Sequence, residues 1–170
     1  MSDPTPVDDG AARERIAELV RDFRVGVLTT IDGEGRPWSR PMALQSRDFD
    51  GDLWFFTGAD TPKVAHIAAH PDVSVALVNV ETQTYVTLAG RASVLDDRAT
   101  MRDLWDLAAK VYYPDGPDDP TLRLVRVAVE RAEYWDSPSN PFVLAYGAAR
   151  SLLTGTPPTD LGDHGTAEIG

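Results

Sequence analysis

Hydrophobic and polar positions change period along this chain, and each change marks an element. Ile16, Leu19, Val20 and Phe23 recur at i, i+3, i+4 and i+7. That apolar stripe predicts a helix over 11–23. Val25 to Ile31 is β-branched and apolar and predicts a strand. Asp32-Gly-Glu-Gly35 is turn chemistry, so 36–46 returns as the second arm of a hairpin. Pro37 and Pro41 lack ladder donors and confine that arm to an edge or to bulges. A second turn at 48–52 leads into a short buried strand, Leu53 to Thr57. Thr61 as N-cap and Pro62 at the first helical position open a helix that His70-Pro71 closes. Val73 to Val80 and Tyr85 to Leu95 read as strands. Asp96 and Asp97 start a helix expected to reach Val111, with Met101, Leu104, Trp105 and Ala108 on one side. Pro114 to Pro120 is a rigid acidic loop, and 122–129 and 131–135 are two more strands. Phe142 to Leu153 reads as a final helix or an irregular arm. Residues 1–10 and the Gly/Pro/Thr/Asp-rich 156–170 read as flexible ends, leaving 11–155 as one domain.

Six or seven strands with few intervening helices predict a mainly β protein, a small antiparallel barrel with helices at its ends. A doubly wound parallel sheet needs strict strand–helix alternation, which is missing. Neither a GxGxxG nor a Walker sequence occurs, and Gly33-Glu34-Gly35 is a hairpin turn.

Composition narrows the function. The 170 residues carry a net charge of −11, which argues against nucleic acid, whose binders present a basic face. With no Cys, disulfides, thiolate metal sites and thiol catalysis are excluded. No run approaches a membrane span and the first residues do not read as a leader, so the expected compartment is the cytoplasm. The acidity is uneven. Segments 25–47 and 61–95 hold as many bases as acids or more, and an anion is least repelled there.

Those two segments hold the candidate chemistry. Thr57 ends a strand, Thr61 caps a helix and Lys63 lies in its first turn. Outward N–H groups, hydroxyls and an ammonium together suit a phosphate. An ordinary capped helix with a surface lysine accounts for the same residues. Of the 16 basic residues only Lys63 and Lys110 are lysines, which singles both out. Arg40, in Ser39-Arg40-Pro41-Met42, offers a bidentate guanidinium from an irregular edge strand, or pairs with one of the 27 carboxylates. Trp105 and Trp135 suit a planar ligand, since Trp is seldom fully buried. His66 and His70 are spaced i, i+4, but no third metal ligand is near, and they read as ordinary surface histidines with no metal site.

Taken in order, several stretches resemble the FMN-binding split-barrel proteins related to pyridoxamine 5′-phosphate oxidase, in their general stress protein branch. They are Gly26 to Thr30, Ser39 to Met42, Asp50 to Thr57, Lys63-Val64, Asp96 to Arg98, Leu104-Trp105, Lys110, Pro114 to Pro120 and Ala132 to Pro138. The resemblance implies a split-barrel homodimer with two FMN molecules at the subunit interface. Arg40 and Lys63 would hold the phosphate, helped by Thr57 and Thr61. The backbone of Arg40, Pro41, Met42 and Ala43 would run beside the flavin ring, with Phe56 near it and Ser39 a further cofactor contact. Trp135, Trp105 and Lys110 would come from the partner. The implied activity is an FMN-dependent oxidoreductase working through flavin N5, with a small redox substrate and no assigned catalytic residue. A non-enzymatic flavin sensor or carrier and a deazaflavin-dependent reductase are the other two readings. Gln45, Pro62 and Asp136 to Asn140 replace the basic residues of the vitamin-forming oxidases, which argues against vitamin B6 oxidation.

Overall fold

A computed structural model describes residues 9–45, 48–136 and 163–170. In chain order it contains α1 (Asp9–Val20), β1 (Val25–Ile31), β2 (Pro37–Ala43), β3 (Asp52–Gly58), α2 (Pro62–Ala69), β4 (Asp72–Asn79), β5 (Thr84–Leu95), α3 (Arg98–Asp103), α4 (Leu107–Tyr112), β6 (Leu122–Asp136) and β7 (Asp163–Glu168). The seven strands form one antiparallel sheet in the order β2-β1-β4-β5-β6-β3, with β7 also paired to β6. β7 is an edge on the far half of β6, and the two ends of the main strand path are β2 and β3. They approach where the Gln45 N–H donates to the Trp54 carbonyl at 3.0 Å, but the sheet does not close. This is the mainly β, antiparallel architecture that the strand pattern predicts, in the split-barrel form that the family resemblance implies.

The alternation of buried and exposed residues along each strand sets which side faces the core. Leu28, Phe55, Val75, Leu77, Val86, Leu88, Val125 and Val127 point inward and are buried. The stripe of α1 closes one opening of the barrel: Ile16, Leu19, Val20 and Phe23 join the same core. A second, smaller cluster lies on the other side of β3 and β6. There Phe56, Leu122 and Leu124 pack against Met101 and Ala109. Among the described residues no helix is long and apolar enough to cross a membrane.

Four boundaries differ from the sequence reading, each for a local reason. The helix expected over 96–111 is two helices, because Asp106 accepts from the Ala109 N–H at 2.7 Å and caps a new start. The two strands expected over 122–135 are one strand with a bulge. Ala89 faces Arg131 and Gly90 faces Val129, leaving Glu130 as the extra residue. Part of the expected flexible tail is β7, whose Gly165 lies against the ring of the buried Tyr134. At the other end, Asp9 and Gly10 belong to α1 rather than to a flexible terminus. The expected element at 142–153 lies outside the described residues.

The bulge gives a direct test. A Cβ on Gly90 would meet the Ala128 carbonyl oxygen at 2.0 Å, and backbone cannot swing aside as a side chain can. Gly90→Ala is expected to destabilise the fold by about 2 kcal/mol or more in urea titrations. Gly33→Ala, whose added carbon meets nothing within 4 Å, is expected to stay within about 0.5 kcal/mol.

Candidate functional site

The β1–β2 hairpin and the first turn of α2 enclose a cleft of about 620 Å³. Asp32, Glu34, Arg36, Trp38, Ser39 and Arg40 line it from the hairpin, and Pro62, Lys63 and His66 from the helix. Of its three cations, Arg36 pairs with Asp32 and Glu34, which leaves Arg40 and Lys63. Arg40 pairs with Leu28 across the ladder and turns inward, donating from Nη1 to the Thr30 hydroxyl at 2.7 Å and the Leu28 carbonyl at 3.3 Å. Lys63 donates from Nζ to the Thr57 hydroxyl at 3.0 Å. Both threonines are buried, so each cation is anchored by a hydroxyl with a fixed position.

Neither member of this pair makes an ion pair with a carboxylate among the described residues, since Asp32 and Glu34 in the cleft wall bond Arg36. Burial lowers the Arg40 pKa, and burial followed by the Arg40 charge lowers that of Lys63. In a chain of net charge −11 this is a selective arrangement. An anion lying between the two would reverse both effects, because an opposite charge favours the protonated forms.

Hydroxyl contacts assign Thr57 and Thr61 a supporting part. Thr61 occupies the N-cap position of α2, but its side chain does not cap the helix. It donates to the Gly58 carbonyl at 2.9 Å and lies 2.9 Å from the Thr57 hydroxyl. The hydroxyl pair thus steadies Lys63, while the Thr61 carbonyl accepts the Val64 N–H of the helix start at 3.0 Å.

Asp32, Trp38 and His66 also line the cleft, and sequence reasoning assigned none of them to a site. Asp32 had only the look of turn chemistry. Its carboxylate accepts from the Glu34 and Arg36 N–H groups, Arg36 Nε and Trp38 Nε1, all at 2.9 Å. The Arg36 N–H, then the Trp38 indole, hold its carboxyl well below the usual range against the opposing effect of burial. Trp38 is half exposed, with its indole nitrogen tied to Asp32. His66, read from sequence as a surface histidine, is half-buried with Nδ1 3.0 Å from the Thr30 hydroxyl.

The remaining candidates divide between the cleft and other parts of the fold. Ser39 and Arg40 line the cleft. Pro41 and Ala43 are exposed along the edge strand, and Met42 is buried in the core. Phe56 lies in the second cluster, 5.4 Å from the Trp105 ring and 6.2 Å from that of Tyr113. Trp105 sits at the break between α3 and α4, and Lys110 is exposed on α4. Trp135 lies near the end of β6, its ring 5.2 Å from that of His164. None of these last three lines the cleft of the same chain.

The Asp32 clamp has a pH signature. Its folded pKa is depressed, so its contribution is complete above the ordinary carboxylate pKa of about 4. It fades as pH falls toward the lower folded value. Asp32→Asn is expected to melt below the parent at pH 7, with the gap closing as pH drops below about 4. Thermal melts followed by circular dichroism check this, and a gap that is constant with pH would contradict the charged clamp.

Comparisons with known proteins fit this architecture. Protein bli-3 of Neurospora crassa is 27% identical over 154 residues, which span 85% of this chain and 74% of the relative. A crystal structure assigned as general stress protein 26, from Jannaschia sp. CCS1, superposes with a TM-score of 0.75 at 25% identity. That match covers 94% of this chain and 99% of the other. A heme binding protein from Mycobacterium smegmatis has a TM-score of 0.60 at 22% identity, covering 79% of this chain and 55% of the other, a likeness of fold alone. Residues 11–159 match the family described as "Pyridoxamine 5'-phosphate oxidase like". With its split sheet and nearly the whole chain inside that match, the protein belongs to the pyridoxamine 5′-phosphate oxidase-like family.

Proposed function

We propose that this chain is an FMN-binding flavoprotein that works as a homodimeric, FMN-dependent oxidoreductase. The observation that carries the reading is the Arg40–Lys63 pair, two partly desolvated cations in one cleft whose carboxylates, Asp32 and Glu34, pair with Arg36 instead. Such a pair is costly unless an anion joins it. A phosphate fits its chemistry: Arg40 keeps Nε and Nη2 for an oxygen, and Lys63 keeps two of its three hydrogens. The cleft volume lies within the range of small-molecule sites and exceeds the needs of a phosphate alone. When bound, FMN would supply the redox chemistry by accepting and releasing hydride equivalents at N5. This chain's residues would hold and orient it, and none stands out as a general acid or base.

A second copy fits the outer face of the sheet. Val78, Tyr85 and Trp135 are neighbours across β4, β5 and β6, and all three are exposed. Contiguous exposed apolar residues of this kind mark association surfaces. Trp105, Lys110 and Trp135 lie away from their own cleft, in keeping with their assignment to the partner's site.

Two measurements test these readings. Arg40→Ala and Lys63→Ala are each expected to weaken FMN binding about ten- to a hundredfold in flavin-fluorescence titrations. Arg91→Ala, which removes only an exposed pair with Asp72, is expected to change it less than about twofold. Equal effects of the three, or a heme rather than a flavin spectrum in the purified protein, would reject the FMN assignment. Tyr85→Glu is expected to turn a dimer into a monomer in light scattering, whereas a parent already monomeric would reject the second copy.

A further inference from the structure

The contacts around Thr30 decide which nitrogen of His66 faces the cleft. A threonine hydroxyl has one hydrogen and two lone pairs, and a guanidinium only donates. The 2.7 Å contact from Arg40 therefore occupies a lone pair of Thr30. Thr30 is fully buried, so its hydrogen needs an acceptor inside the protein. No buried side-chain polar atom lacks a partner among the described residues, and the acceptor within reach is His66 Nδ1 at 3.0 Å. The direction of both bonds follows: Arg40 donates to Thr30, and Thr30 donates to His66. Neutral imidazole with an accepting Nδ1 carries its hydrogen on Nε2. His66 lines the cleft with Arg40 and Lys63, and its Nε2 makes no hydrogen bond to any described residue.

We propose that His66 is a third, uncharged phosphate ligand, donating from Nε2–H, and that Thr30 is the positioning residue that sets its tautomer. This rests on the reading of the cleft as a phosphate site and sharpens its ligand class. A terminal phosphomonoester presents three oxygens and a phosphodiester only two. Arg40, Lys63 and His66 supply three separate donors, so the cleft selects a ligand ending in phosphate over one whose phosphate is bridged.

Two substitutions at one position separate this from a purely structural role. The amide of Asn matches the position of Nδ1, and that of Gln the position of Nε2. His66→Asn therefore preserves the contact with Thr30 but removes the donor in the cleft, and His66→Gln does the reverse. Titrations with FMN and with FAD are expected to show His66→Asn weakening FMN about tenfold and reducing the preference for FMN over FAD. His66→Gln is expected to remain within about threefold of the parent. Nitrogen-15 shifts of the His66 ring in the ligand-free protein are expected to show hydrogen on Nε2, and Thr30→Val to abolish that bias. Hydrogen on Nδ1, or equal effects of Asn and Gln, would overturn the proposal while leaving FMN binding intact. A parent protein that binds neither FMN nor inorganic phosphate would overturn both readings.

Discussion

Arg40 and Lys63 repel one another in a partly desolvated cleft, and much of the surrounding structure serves to hold them there. Each long cationic side chain is pinned by a buried threonine, Thr30 for Arg40 and Thr57 for Lys63. The two threonines come from β1 and β3, strands far apart in the sheet order but brought together by its curvature. The cations come from the edge strand β2 and the first turn of α2. The split in the barrel therefore has a use. An edge strand interrupted by Pro37 and Pro41 can place a guanidinium at the barrel mouth without a neighbouring strand covering it.

Around this pair the hairpin is unusually well fixed. Asp32 gathers two backbone N–H groups, a guanidinium and an indole onto one carboxylate. Its charge satisfies the turn and also sets Trp38 at the rim of the cleft. Charge-assisted hydrogen bonds of this kind are stronger than neutral ones, so the wall of the cleft does not need a ligand in order to form. The site joins a rigid wall to an electrostatically unsatisfied floor, which suits a ligand with one flat part and one anionic end.

The sequence made the framework legible because most of it rests on periodicity and turn chemistry. The α1 stripe, the Asp32 to Gly35 turn and the proline-bearing edge strand are local features and all form, although α1 ends at Val20 and Phe23 joins the core from beyond it. Arg40 and Lys63 stood out because bases are few and Lys is rarer still in this chain. What stayed hidden depends on three-dimensional neighbours. Thr30 looks like any strand threonine until its complete burial shows that its hydroxyl needs two partners. His66 belongs to the site through that hydroxyl, 36 residues away in sequence. β7 escaped notice because Asp163-His-Gly-Thr-Ala-Glu168 has weak strand propensity, and it is held instead by β6 and the space Gly165 leaves for Tyr134. The interrupted helix at 104–106 reads as continuous because its apolar spacing continues through Asp106, whose capping bond is visible only in three dimensions.

Family membership fixes the fold but not the ligand, since a heme binding protein shares the same sheet. The account therefore stands on the charge of the cleft rather than on its shape. Parallel calorimetric titrations of the wild-type protein with FMN and riboflavin test this most directly, because the two flavins differ only in the phosphate. The account predicts stoichiometric binding of FMN and at least about a hundredfold weaker binding of riboflavin. Equal affinity for the two would contradict it, because Arg40 and Lys63 would then make no difference to the ligand they are held to receive.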